Sequence, residues 1–177
     1  PSLSSSRILG MTFVHGQPIE DVAHADASER NRVAALLFEL FLVELFQLRL
    51  VQTDPNFANY QYNPETGQVV LLDFGASRRF KAALVRGFRD LLARAIAGDR
   101  PGMINAAESI GYQLGPDNSS YQQTLLELAD IALVPLTVNK PYDFGRSPIP
   151  QQLMQRLERL RSNSTFWQVP PIDVAYI

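Results

Sequence analysis

Asp54, Asn59 and Asp73 are the residues of this chain whose types and spacing permit chemistry. Asp54 and Asn59 stand five residues apart, and Asp73 follows fourteen residues after Asn59 at the end of an apolar run, Val69-Val70-Leu71-Leu72. Two carboxylates and one amide oxygen are hard oxygen donors. Mg²⁺ accepts such a set when the phosphates of a substrate complete its shell. Each residue alone is an ordinary turn former, since Asp and Asn bond their own backbone in surface loops. The three together, at this spacing and beside an apolar strand, are a poor fit to a chance turn.

The order aspartate, asparagine five later, then Asp-Phe-Gly resembles the catalytic loop and metal site of protein kinases. That likeness implies that Asp73 holds Mg²⁺ against the phosphates, that Asn59 holds a second ion, and that Asp54 orients or deprotonates the attacking hydroxyl or water. Where a typical kinase has His-Arg before its aspartate, this chain has Gln52-Thr53. The strings QTDPNFAN and LLDFGA instead resemble the UbiB/AarF family of atypical kinase-like proteins. Gly16-Gln17-Pro18, Ala97-Gly98-Asp99-Arg100, Pro141-Tyr142-Asp143-Phe144-Gly145 and Val169-Pro170-Pro171 extend the likeness across nearly the whole chain. The resemblance implies ATP and Mg²⁺ as cofactors and a link to ubiquinone biosynthesis or lipid metabolism at membranes. Set against the kinase pattern, Met11 falls at the gatekeeper position. The backbones of Thr12 and Val14 then present the carbonyl and N–H that meet an adenine edge.

These side chains need elements to position them. Tyr60–Tyr62 and Val69–Leu72 flank Asn63-Pro64-Glu65-Thr66-Gly67, in which Gly67 is free to take positive φ, and the pair reads as a β-hairpin. Asp54-Pro55-Asn56 forbids helix, so Asp54 and Asn59 lie on a loop. Upstream, Asp26-Ala27-Ser28-Glu29 has the form of a capping box. The helix it opens, about residues 28–51, is apolar almost all round, which predicts burial on most sides and a firm anchor for the loop. Arg7–Gly16 reads as a strand leading into a hinge, with His15 facing solvent.

Beyond Gly75, Ala76-Ser77-Arg78-Arg79 leads straight into an amphipathic helix with Phe80, Leu84, Phe88, Leu91 and Leu92 on one face. An ordinary protein kinase carries an activation segment here and docks its peptide on it, so the spacing argues against peptide phosphorylation in trans. Arg78 and Arg79 suit a solvated helix start, or contact with phosphate or anionic lipid. Gly98 ends this helix, Asp99 caps a short one running to Ile110-Gly111, and Pro101 is tolerated in its first turn. Ser119 or Ser120 opens a further helix ended by Pro135, and residues 151–161 form a last one with Leu153, Leu157 and Leu160 inward. The second Asp-Phe-Gly, at 143–145, follows no apolar strand and has no aspartate–asparagine pair upstream. It reads as a structural turn.

The 177 residues are 46% hydrophobic, enough for one domain with a core, and the fold class expected is mainly α with a small β-hairpin, the C-terminal lobe of a kinase-like fold. Residues 1–18 form the hinge strand and linker, and residues 19–177 the helical lobe. A net charge of −2 offers no field for nucleic acid, and without cysteine there are no disulfides or thiolate metal sites. Neither a signal peptide nor a membrane span is legible, which suits a cytoplasmic or peripheral inner-membrane protein in a bacterium, or a mitochondrial or plastid one in a eukaryote. The only lysines, Lys81 and Lys140, follow Asp73. A kinase-type site takes a lysine from an upstream strand, so the expected intramolecular partner is an N-terminal lobe outside these residues, and the chain alone is expected to be inactive. The activity expected of the intact protein is ATP hydrolysis or phosphoryl transfer to a small or lipid-like acceptor, with a lipid or membrane surface as partner. Two other readings remain open: a nucleotide-sensing or lipid-binding scaffold without catalysis, and a small-molecule kinase like the aminoglycoside phosphotransferases, which Gln52-Thr53 disfavours.

Overall fold

A computed structural model describes residues 3–54, 56–114, 119–161 and 174. The tail around Trp167 and Pro170-Pro171, and the side chain of Leu160, lie outside this description. The architecture is mainly helical with two small antiparallel sheets, as the sequence leads one to expect. The chain divides into two compact units, Pro1–Arg79 and Phe80–Ile177.

In the first unit, β1 (Gln17–Pro18), β3 (Tyr60–Asn63) and β4 (Gln68–Leu71) form one sheet in the order β1-β3-β4. The predicted hairpin is β3–β4, with Tyr60 opposite Leu71 and Asn63 opposite Gln68. Its turn closes because the Asn63 side-chain oxygen accepts from the N–H groups of Glu65 and Thr66, while Gly67 sits at φ 70°. Only glycine adopts that backbone freely. A 3₁₀ turn at Ile19–His24 supplies Ile19 and Val22, which pack with Val33 and Tyr62 as the core of this unit.

Three expectations about the stretch from Arg7 to Val51 need correction. Residues 7–16 form no strand. The chain there folds on itself through Ser4 and Gly10, leaves Leu9, Met11 and Phe13 exposed, and pairs with the hairpin only at Gln17–Pro18. An apolar run becomes a strand only where a neighbour supplies the ladder. Second, α1 spans Ala27–Val43 rather than reaching residue 51. A five-residue π turn, Glu44–Leu48, follows; Arg49 then enters the left-handed region at φ 55°, and Leu50–Gln52 becomes β2. The third correction concerns burial. Val33, Leu45 and Val51 alone among the apolar residues of this stretch are buried, and Phe38 and Leu48 are more than half exposed. Hydrophobicity on all sides did not translate into contact on all sides.

β2 pairs antiparallel with β5 (Ser77–Arg79), matching Leu50 with Arg79 and Gln52 with Ser77. This strand stands where a direct run into helix was expected. Three residues carry too little periodicity to announce a strand, and its partner lies 25 to 29 residues upstream, from Gln52 against Ser77 to Leu50 against Arg79.

In the second unit, α2 (Ala82–Ile96) and α3 (Arg100–Ser109) pack closely. Phe80, Val85, Ala95, Met103, Ala106, Ala107 and Ile110 are buried there. The predicted break is present: Gly98 has φ 69°, and Asp99 caps α3 by accepting from the Gly102 N–H at 3.0 Å. That bond, with the Arg94 guanidinium beside it, holds the Asp99 carboxyl below its ordinary range. α4 (Ser119–Ala132) ends before Pro135, which instead occupies the first turn of the short α5 (Val134–Thr137). α6 (Ile149–Arg161) packs against α4, with Arg156 paired to Glu127.

Candidate active site

Gln52 at the end of β2 opens the loop that carries Asp54. A 3₁₀ turn, Phe57–Asn59, then delivers Asn59 to the foot of β3. Asn56 caps that turn, its side-chain oxygen accepting from the Ala58 N–H at 3.0 Å. The turn is the compact way to fold a stretch whose Asx residues compete with regular helix for backbone donors. The result brings two of the expected residues into contact. Asn59 Nδ2 donates to Asp54 Oδ2 at 3.0 Å, and the Asn56 N–H points at Asp54 Oδ1 from 3.4 Å.

Asp73 arrives from the other direction, just past β4. The Leu72 N–H donates to the Asn59 carbonyl at 3.0 Å, so the hairpin stays zipped to its last residue before the aspartate. Asp73 Oδ1 accepts from the Gly75 N–H at 2.7 Å, which folds Asp73-Phe74-Gly75 into a tight Asx turn. Among the described residues, no hydrogen bond occupies Asp73 Oδ2 or Asn59 Oδ1.

Two residues fasten the Asp54 loop to the Asp73 loop. Thr53 donates to the Ala76 carbonyl through both its N–H, at 3.4 Å, and its Oγ1, at 2.6 Å. Gln52 spans the same gap with its carboxamide: Oε1 accepts from the Asp54 N–H at 3.2 Å, and Nε2 donates to the Asp73 carbonyl at 2.5 Å. The Gln52 N–H in turn donates to Glu44 Oε2 at 3.1 Å, linking the loop to the π turn after α1. Sequence reading treated Gln52-Thr53 as a departure from His-Arg and as part of a family string, and it gave neither of them nor Glu44 a role in the site. A polar side chain with both a donor and an acceptor, two residues before the aspartate, was the available signal. Tyr60 completes the surroundings. Burial, helped by the charges of Glu44 and Asp54, pushes its phenol above the ordinary value.

The donor set suits Mg²⁺. It consists of carboxylate and amide oxygens, with no nitrogen or sulfur donor that would favour a softer metal. Among the described residues no group of three or more His, Asp or Glu side chains gathers around a point. Asp73 Oδ2 and Asn59 Oδ1 are oxygens of the kind that Mg²⁺ takes when phosphate oxygens and water complete its shell.

Met11, Thr12 and Val14 lie on the irregular stretch before β1, all exposed. His15 is exposed too, as expected, edge-on to Phe13 at 4.9 Å. The second Asp-Phe-Gly is a turn, as expected: Asp143 Oδ1 accepts from the Arg146 N–H at 3.2 Å and caps a three-residue 3₁₀ turn.

Over residues 1–107 the chain matches the ABC1 atypical kinase-like domain. It is similar to the mitochondrial atypical kinase COQ8B of Rattus norvegicus, with 32% identity over 143 residues covering 81% of this chain and 27% of that protein. It is 33% identical over 162 residues to the mitochondrial atypical kinase coq-8 of Caenorhabditis elegans, covering 89% of this chain and 21% of that protein. The mitochondrial atypical kinase COQ8 of Saccharomyces cerevisiae is 32% identical over 142 residues, covering 80% of this chain and 27% of its own. The chain thus spans about a quarter of the length of these relatives. The matched region takes in Asp54, Asn59, Asp73 and the Gln52–Thr53 fastening, and the chain belongs to the ABC1 atypical kinase-like family, the group to which its UbiB/AarF-like strings pointed.

Proposed function

We propose that this chain carries the metal-binding half of an ATP site, and that the protein containing it hydrolyses ATP or transfers its γ-phosphoryl group to a small or lipid-like acceptor. The observation that carries this reading is the fastening of the three residues' backbones and side chains to one another. Asp54 and Asn59 share a hydrogen bond of 3.0 Å, and the Gln52 carboxamide joins the Asp54 backbone to the Asp73 backbone. Asp73 and Asn59 hold Mg²⁺ through oxygens that other side chains leave open. When bound, the cation neutralises charge on the transferring phosphoryl group. Asp54, held by Asn59 and the Asn56 N–H, orients or deprotonates the attacking hydroxyl or water. Met11, Thr12 and Val14 line the adenine. The rapid passage from Gly75 into β5 and α2 leaves no peptide-docking segment, which favours a small acceptor over a protein.

The similarity to mitochondrial atypical kinases supports a mitochondrial setting, and membership of the family implies a role in ubiquinone biosynthesis or lipid metabolism. No helix of the described residues is long and apolar enough to cross a membrane. The deciding experiment is Asp73→Asn in the full-length protein that contains this chain. Mg-ATP binding, followed by calorimetry, is expected to disappear; unchanged affinity would falsify the metal-site assignment.

A further inference from the structure

We infer that Gln52 is a positioning residue that sets the spacing between Asp54 and Asp73. The inference deepens the ATP-site reading and rests on it. A side-chain carboxamide has one acceptor oxygen and one donor nitrogen. Here each is committed to a different loop: Oε1 takes the Asp54 N–H and Nε2 gives to the Asp73 carbonyl, 21 residues further on. Both partners belong to the backbones of the two aspartates, so the bond pair acts on where those residues stand and not on their charges. The Gln52 backbone is fixed independently. Its N–H bonds Glu44 Oε2, and it pairs with Ser77 in the β2–β5 ladder. Strand and π turn therefore aim one rigid bracket at both loops. Thr53 ties the same two loops at Ala76 but touches neither aspartate, so it closes the gap without setting its width. Reacting groups displaced by about 1 Å lose roughly a hundredfold in rate, which gives such a bracket its value.

Three substitutions separate the parts of this inference. Gln52→Met keeps the length and removes both bonds. Gln52→Glu keeps an acceptor for the Asp54 N–H and presents no donor to the Asp73 carbonyl. Gln52→His restores one donor and one acceptor on a neutral ring. The probe is Mn²⁺, its affinity followed by electron paramagnetic resonance on the full-length protein with a saturating non-hydrolysable ATP analogue. The Met and Glu variants are expected to bind Mn²⁺ about tenfold more weakly, and the His variant to within about threefold of the parent, on the scale that misplacement of bound groups produces. Affinity for the analogue in EDTA is expected to stay unchanged throughout, which general damage to the fold would not permit. If Gln52→Met does not fold, Gln52→Glu carries the comparison. Unaltered Mn²⁺ affinity in the Glu variant, or equal loss in the Glu and His variants, overturns the inference. Loss of Mn²⁺ binding in Asp73→Asn alongside parent-like Gln52 variants leaves the ATP-site reading standing and removes only the bracket. Parent-like binding in Asp73→Asn removes the reading itself.

Discussion

Glu29 carries the clearest residue-scale consequence outside the site. It sits in the first turn of α1, and its carboxylate accepts from both Arg32 and the Tyr62 hydroxyl, while Arg32 also reaches the Gly67 carbonyl at 3.0 Å. The capping-box reading was half right. Asp26 accepts from the Glu29 N–H at 2.9 Å, but the Glu29 side chain turns away to the hairpin instead of returning to Asp26. The Arg32 guanidinium and, after it, the Tyr62 hydroxyl hold the Glu29 carboxyl at about 2. A carboxyl depressed on folding lends stability that is complete above about pH 4.5 and fades as the pH falls toward 2. Tyr62→Phe deletes one of these bonds from the most buried large side chain among the described residues. Urea unfolding at pH 7 is expected to show a loss of about 1 kcal/mol, the ordinary worth of a hydrogen bond. Repeating the titration from pH 5 to 2.5 should give a shallower slope than the parent. An identical slope would mean that Tyr62 contributes nothing to the low Glu29 value.

At the scale of elements, the sharpest constraint lies between α2 and α3. Gly87 stands inside α2, where glycine costs a helix about 1 kcal/mol relative to alanine. A Cβ placed there would lie 2.2 Å from Ile110 Cγ2 and 3.0 Å from Ser109 Oγ. The glycine is retained because the helices cross with no room for a methyl group. Gly87→Ala is therefore expected to destabilise the protein by about 1–3 kcal/mol, as overpacking does, in spite of the propensity gained. Thermal unfolding checks this, and a rise in midpoint would show that Ile110 can move aside. The amphipathic stripe of α2 was plain in the sequence, but this contact was not, since it depends on a residue beyond a break and a second helix. The hairpin was legible almost to the residue, because Asn63 and Gly67 dictate their own turn. β2 and β5 were invisible for the opposite reason: each has three residues and exists only through the other.

For the molecule as a whole, the placement of its basic residues matters more than its near-neutral charge. Both lysines follow Asp73, so these 177 residues bring no ammonium from an upstream strand to the α- and β-phosphates. The chain by itself is expected to bind Mg-ATP with a millimolar dissociation constant or not measurably. Isothermal calorimetry on the 177-residue chain tests this, and micromolar affinity would show that the upstream lysine is dispensable. The relatives are matched over only about a quarter of their own length, so the full-length proteins hold most of their residues outside the part compared.

The sequence by itself determined the family and the local turns: which strings mark the kinase-like domain, which turn joins the hairpin, where Gly98 and Asp99 break the helix, and which Asp-Phe-Gly is a capped turn after no apolar strand. Each of these follows from a residue and its near neighbours. Only the tertiary structure decided that α1 gives way to a π turn and a strand, that Glu29 serves the hairpin, and that Gln52 braces both aspartates. Those outcomes depend on partners 21 to 33 residues away, and the energy that selects them is released only when distant segments meet.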